Sequence, residues 1–254
     1  MSENQEPAAS DVAVILPAAG RGRRFGGDKL TVEIDGLSVF ARSVAAFLFR
    51  KDVVAVVVPT DRQVELEAAL PDSWWMGGEL ERLHWCGGGA HRADSVRSGL
   101  VALQTLDVAC DLVAVHDAAR PLVPADLIDR AFDAARRFGA SVPGLSVTDT
   151  IKRTRGGFVE ETLLREELVA VQTPQVARRD WMIDAFLAAG DRLAGATDDV
   201  QVLEWAGRPV AIVQGDARNL KVTRPEDLAR AASLHSAATA STTPTSTGDA
   251  DTAP

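Results

Sequence analysis

The sequence predicts an α/β fold, in which a mostly parallel sheet is flanked by helices and carries an inserted β-hairpin dimerisation arm. Three observations predict it. Short, nearly continuous apolar runs at residues 12–16, 52–58 and 111–115 have the length and β-branched content of strands buried on both faces of a parallel sheet. Between them lie helix-period segments, such as residues 38–50 with Val39, Val44, Phe47 and Leu48 on one face. From residue 140 to 175 that alternation stops, and β-prone segments gather around the turn Arg155-Gly156-Gly157.

The first run ends at Pro17, which cannot donate to a ladder. Ala18, Ala19, Gly20 and Gly22 follow with almost no side chain, so a ligand can approach the backbone and receive its N–H groups. Arg21, Arg23, Arg24 and Lys29 fall in the same loop, although the whole chain carries a formal charge of −9. A local cationic cluster in an acidic protein points to an anionic ligand. Neither common phosphate loop fits. Phe25 stands where the dinucleotide fingerprint needs its third glycine, and Asp28 interrupts the spacing of a P-loop.

Ser38 is the expected N-cap of the helix 38–50, and Thr60-Asp61-Arg62-Gln63 reads as a capping box opening a helix to about Leu70. Residues 72–78 read as an irregular loop in which Trp74 and Trp75 serve packing. The strand-like run RLHWC leads into Gly87-Gly88-Gly89, whose open backbone suits the edge of a flat base, with Arg92 and Ser95 within reach on the following helix. His116-Asp117-Ala118-Ala119-Arg120-Pro121 then sits at the C-terminal end of the strand 111–115. In open parallel sheets that end faces the ligand crevice. An Asp there can hold Mg²⁺ or a hydroxyl, or it can pair with Arg120 and stiffen the turn.

A helix over residues 126–138 ends at Gly139. The arm at 140–175 alternates charged and apolar residues and buries itself poorly, so it is expected to pair with a second subunit. Helices follow at 179–189 and, capped by Thr197-Asp198-Asp199, up to Ala206, with a strand at 209–213. Thr223-Arg224-Pro225-Glu226 reads as a capping box for a last helix that fades near His235. The expected organisation is a disordered start at 1–10, one domain at 11–235, and a Ser/Thr/Ala/Pro-rich disordered tail at 236–254.

Composition sets the outer limits. At 46% apolar and 25% charged residues the chain has the mix of a globular protein, and its pI near 5 argues against nucleic-acid binding. The absence of a long apolar run and of a basic, apolar start predicts no membrane association and a cytoplasmic location. Cys86 and Cys110 have no metal-ligand spacing and read as reduced, partly buried thiols.

The strings PAAGRGRRF, GGGAHRADS, HDAARP, DTIK, AVQTPQ, TDD and NLKVTRPEDL occur in this order between residues 12 and 234. Together they resemble the 2-C-methyl-D-erythritol 4-phosphate cytidylyltransferase family, among the sugar- and polyol-phosphate nucleotidyltransferases with Rossmann-like sheets. The resemblance implies transfer of a cytidylyl group from CTP to the polyol phosphate, with Mg²⁺ or another divalent cation, in isoprenoid precursor synthesis. It implies a nucleotide site at Ala18, Ala19, Gly20, Gly89 and Ser95, to which the reading of the loops adds Gly22 and Arg92. Arg24, Lys29 and Lys221 would surround the triphosphate as the catalytic cations. Asp117, Arg120, Thr150, Arg165, Thr173 and Thr197 would hold the polyol phosphate, Asp117 also serving as metal ligand. Thr150 and Arg165 would reach across a homodimer. The family usually has a longer loop with a Pro before the second cation, whereas this chain has Gly26-Gly27-Asp28 before Lys29. A sister enzyme making CDP-ribitol from ribitol 5-phosphate shares the CTP site and stays open as an alternative. So does a nucleotide-binding regulator without catalysis, although retention of Arg24, Lys29, Asp117 and Lys221 speaks against it.

Overall fold

The structure, a computed structural model, describes residues 11–20, 25–76 and 78–241. The buried strand β1 (Val12–Ile15) is followed by a small hairpin of β2 (Glu33–Ile34) and β3 (Leu37–Ser38). Helix α1 (Val39–Leu48) starts at the expected cap, where Ser38 Oγ accepts from the Ala41 N–H at 2.9 Å. Strand β4 (Val53–Pro59) leads to two short helices, α2 (Gln63–Glu67) and α3 (Asp72–Met76). Both differ from expectation. Arg62, not Thr60, is the N-cap of α2, which stops before Leu70, and part of the loop expected at 72–78 is helical.

Then come β5 (Leu83–Cys86), α4 (Arg92–Thr105), β6 (Leu112–Val115) and α5 (Ala125–Phe138). Gly139 ends α5 with φ of 90°, and a Cβ there would lie 2.4 Å from the Trp181 ring. Conformation and packing both demand glycine at that position. The remaining elements are β7 (Ala140–Ser146), β8 (Lys152–Arg155), β9 (Phe158–Thr162), β10 (Val169–Val171), β11 (Gln175–Arg178), α6 (Arg179–Ala189), α7 (Asp199–Trp205), β12 (Ala211–Gln214) and α8 (Pro225–Ser241).

The main sheet runs β10-β7-β11-β6-β1-β4-β5, with β12 also paired to β7. Strand β1 is parallel to β4 and β6, β4 is parallel to β5, and β12 is parallel to β7. In this sheet only β10 and β11 run against their neighbours. Alternate residues of β1 enter different cores. Val12 and Val14 pack with Phe40, Phe47 and Phe132, and Ala13 and Ile15 pack with Val96, Met182 and Phe186. Burial on both faces is why these strands read as continuous apolar runs.

The arm is smaller than the sequence suggests. Strand β7 is buried through its first five residues and pairs inside the main sheet, as do β10 and β11. What projects is the separate two-stranded hairpin β8–β9, with every residue exposed. The first residues of β7 are buried in the main sheet, whereas β8 and β9, including Phe158 and Val159, have no layer packed against them among the described residues. At the other end, α8 runs to Ser241, past the expected fade near His235, and its first turn is capped by Asp227 instead of Glu226. The Asp227 carboxylate accepts from the Thr223 and Arg224 N–H groups, each at 2.8 Å.

Candidate active site

The loops that follow β1, β5 and β6 open onto a cavity of about 720 Å³. The sequence places the residues there by simple means. Strands β1 and β5 stop at loops of small residues, β6 stops at His116-Asp117, and these loops meet where the strands end. Ala18, Ala19, Gly20, Lys29, Gly89, Arg92, Ser95, Asp117 and Lys221, all expected site residues, line this one cavity. Thr223 and His91, not foreseen, line it as well.

The nucleotide loops are tightly built. The Ala18 N–H donates to the Pro59 carbonyl at 3.0 Å, and the Gly89 N–H donates to Ser95 Oγ at 3.0 Å. A Cβ on Gly89 would lie 2.7 Å from the backbone of Asp94 and Ser95, so no side chain fits there. A Cβ on Gly20 would meet nothing within 4 Å, so the protein itself leaves space there. Lys29 Nζ donates to the Val222 carbonyl at 2.9 Å, and the Val222 N–H donates to the Ala119 carbonyl at 2.8 Å. That anchor brings Lys29 beside Lys221.

Asp117, 8% exposed, is the centre of a buried charge cluster. Its Oδ1 accepts from Arg92 Nε at 3.0 Å, and its Oδ2 lies 2.8 Å from Lys221 Nζ and 3.6 Å from Arg120 Nε. Burial alone would raise its pKa, but the charges of Arg92, Lys221 and Arg120 outweigh burial and hold it well below the usual carboxylate range. Arg92 is itself gripped from behind by the fully buried Asp199, through bonds of 3.0 and 2.8 Å. Burial favours its neutral form, yet Asp199 and Asp117 raise its pKa further. Asp199 is a residue that sequence reasoning missed. The TDD string marked the place, but which of its members turns inward depends on α7. Gln175 fixes that helix by accepting the Asp199 and Val200 N–H groups at 2.8 and 2.9 Å.

Behind Asp117 a polar chain sets the backbone. The Asp117 N–H donates to Thr173 Oγ1 at 3.1 Å, and Thr173 Oγ1 lies 3.1 Å from His116 Nδ1. His116 Nε2 lies 3.2 Å from the Arg120 carbonyl, which only accepts. The proton therefore sits on Nε2, and Thr173 donates to Nδ1. Burial pushes the imidazole down to about 4, so it stays neutral. Thr173 and Arg120 thus shape the cavity from behind and do not line it; Arg120 Nη1 donates to the Asn219 carbonyl at 2.6 Å.

Three other expected residues are not brought to the cavity. Thr150, Arg165 and Thr197 are exposed, and Arg165 Nη1 donates to the Thr148 carbonyl at 2.9 Å. Gly22 and Arg24 lie outside the described residues. Among the described residues, no cluster of three or more His, Cys, Asp or Glu side chains could hold a metal ion. Asp117, the expected metal ligand, has both oxygens turned to cations. This donor set does not fit a protein-held Mg²⁺. The arrangement suits anions instead: backbone donors and small loops on one side, and three cations around one ionised carboxylate on the other. Cys86 does not line the cavity, and burial pushes its thiol up to about 11.

Comparison with known proteins agrees with this geometry. The family model described as IspD, 2-C-methyl-D-erythritol 4-phosphate cytidylyltransferase, matches residues 12–236. A protein of Anaeromyxobacter sp. named bifunctional enzyme IspD/IspF is 42% identical over 229 residues, which is 88% of this chain and 57% of that protein. One of the same name from Bradyrhizobium diazoefficiens is 44% identical over 224 residues, 86% of this chain and 54% of its own. The chain spans about half the length of these curated relatives. The crystal structure of 2-C-methyl-D-erythritol 4-phosphate cytidylyltransferase from Thermus thermophilus is similar with a TM-score of 0.69 and 34% identity, covering 88% of this chain and 98% of that one. With the match extending over nearly the whole described fold and every cavity-forming loop, the chain belongs to the IspD family of 2-C-methyl-D-erythritol 4-phosphate cytidylyltransferases.

Proposed function

We propose that the chain transfers the cytidylyl group of CTP to 2-C-methyl-D-erythritol 4-phosphate and releases pyrophosphate. The observation that carries this reading is the cavity's pairing of a side-chain-free cradle with a cluster of cations held on ionised Asp117. A phosphate oxygen of the polyol attacks the α-phosphorus of CTP, and the bond from that phosphorus to the bridging oxygen of the β-phosphate breaks. The attacking oxygen is already ionised at neutral pH, so no general base is needed. Lys29 and Lys221 stabilise the charge that moves onto the leaving pyrophosphate. Neutral His116 keeps Asp117 and Arg120 in place and exchanges no proton with substrate. No step depends on a protein-held metal.

The polyol end is proposed to be completed by a second copy. All of β8–β9 is exposed, including Phe158 at 80% and Val159 at 63%, and a lone hairpin of this kind is marginal in water. Docking it against a partner buries those side chains and carries Thr150 and Arg165 to the partner's cavity.

Pyrophosphate release with CTP and each polyol phosphate tests the reading. Turnover with methylerythritol phosphate is expected. Turnover with ribitol 5-phosphate alone would move the chain to the sister activity, and release with neither would overturn the transferase reading. In competition CTP should exceed UTP and far exceed ATP and GTP, on the reading that the small loops at Ala18–Gly20 and Gly89 take a pyrimidine close to the backbone. A purine preference would contradict it.

A further inference from the structure

The turn Thr60-Asp61-Arg62, at the C-terminal end of β4, has no part in the reaction above, yet it touches every described loop of the nucleotide cradle. Thr60 Oγ1 donates to the Ala18 carbonyl at 3.3 Å. Asp61 Oδ1 accepts the Gly88 N–H at 3.0 Å. The Arg62 guanidinium is paired with Asp28, the residue directly before Lys29.

Each arm of this turn is itself fixed. A Cβ on Gly88 would lie 2.7 Å from Ala19 Cβ and 3.3 Å from the Asp61 carboxylate, so Gly88 is wedged between the first loop and Asp61. The Arg62 N–H donates to Thr60 Oγ1 at 3.1 Å, and its Nε donates to Glu65 at 2.6 Å. On the far side, Asp28 Oδ1 accepts the Leu30 N–H at 3.1 Å, so the Asp28 carboxylate brackets Lys29 from both neighbours. The Arg62 side chain is only 11% exposed and that of Asp28 31%, so the pair is partly sheltered from water.

We infer that Asp61 and Arg62 are positioning residues of the nucleotide site. Asp61 sets the glycine loop against the Ala18–Gly20 loop, and Arg62, through Asp28, sets the reach of Lys29. This rests on the proposed binding of CTP. It also accounts for the short loop with an acid before Lys29, because Asp28 supplies an anchor that a longer loop would otherwise need. The two arms serve different parts of the ligand. The glycine loop meets the nucleoside in ground and transition states alike, so its loss raises KM. Lys29 meets the phosphates where charge develops, so its misplacement lowers kcat.

The test is steady-state kinetics with CTP and polyol phosphate varied separately. Asp61→Ala should raise KM for CTP about tenfold and leave KM for the polyol phosphate unmoved, since uniform binding is lost at one ligand only. Asp61→Asn, which keeps an acceptor oxygen, should regain most of that loss. Arg62→Ala and Asp28→Ala should each lower kcat by about tenfold, and the double variant should be no worse than the weaker single one, as for residues acting through one contact. Arg62→Lys should recover part of kcat. Thermal midpoints show that every variant is folded. Equal rises in both KM values for Asp61→Ala, or additive losses in the Asp28/Arg62 double variant, would overturn the inference. If the wild-type chain binds CTP but does not turn it over, the transferase reading fails alone, and calorimetry then reads the Asp61 arm as an about tenfold loss of CTP affinity that Asp61→Asn restores.

Discussion

The two ends of the cavity are built in opposite ways. Around Ala18–Gly20 and Gly87–Ser95 the chain supplies its own contacts: Ala18 on Pro59, Gly88 on Asp61 and Gly89 on Ser95. That end is organised before any ligand arrives, which keeps the entropic cost of binding low. At the other end Thr150, Arg165 and Thr197 are exposed and lie away from the cavity. Arg92, Asp117 and Lys221, backed by the buried Asp199, line the cavity together with the cradle. The described loops of one end thus hold one another in place, whereas the residues expected at the other end are left without contact to the cavity.

The comparison breaks most readily at Asp199. Asp199→Asn keeps the shape of the side chain but leaves Arg92 with half of its buried partners, and should destabilise the fold by about 3–5 kcal/mol, as breaking a buried ion pair does. Urea unfolding measures it. A loss below about 1 kcal/mol would mean that the cluster behaves like a surface pair and does not organise the cavity. Next in size is Lys221→Ala, expected to lower kcat by about 10²-fold or more with native circular dichroism. A near-normal kcat would leave Lys221 as no more than a counter-charge to Asp117.

The smallest effect concerns His116, whose buried imidazole titrates at about 4 against about 6.5 in the unfolded chain. Between these values the unfolded chain binds a proton that the folded chain does not. Stability therefore falls as pH drops through that window, by roughly 2 kcal/mol between pH 8 and pH 5. Asp117 behaves differently: its depressed pKa stabilises the fold above the ordinary carboxylate value, and that contribution is lost only at lower pH. Unfolding curves of the wild type and His116→Asn separate the two. Because burial raises the pKa of Asp199, which adds stability as pH falls, the test is the difference between the two curves: a wild-type minus His116→Asn difference that stays flat from pH 8 to pH 5 would contradict a neutral His116.

The cradle end is also the legible one. Apolar strands that stop at Pro17 or at Gly87-Gly88-Gly89 announce themselves locally, and cations clustered in an acidic chain announce an anion site. What escapes a reading of the sequence depends on distant partners. Asp199 and Asp198 are neighbours of the same type, and only the docking of α7 on Gln175 decides which is buried against Arg92. Arg62 reads as one residue of a capping box because Asp28 is remote in sequence. The arm reads too long because residues of β7 and the projecting hairpin share β-propensity, and only sheet pairing separates them. Helix α8 reads too short because the Ser/Thr content after His235 masks alanine, the strongest helix former.

Whether the exposed end is completed in trans is tested most directly by mixing subunits. An Arg165→Ala chain and a Lys29→Ala chain are combined, exchange is confirmed by mass, and pyrophosphate release is measured. If Arg165 serves its neighbour's cavity, one site of each mixed dimer carries both defects and the other carries neither, so activity should recover towards about half that of a wild-type dimer. If Arg165 serves its own cavity, every site keeps one defect. Confirmed exchange without recovery would then show that the single chain builds both ends, and would contradict completion of the polyol end by a second copy.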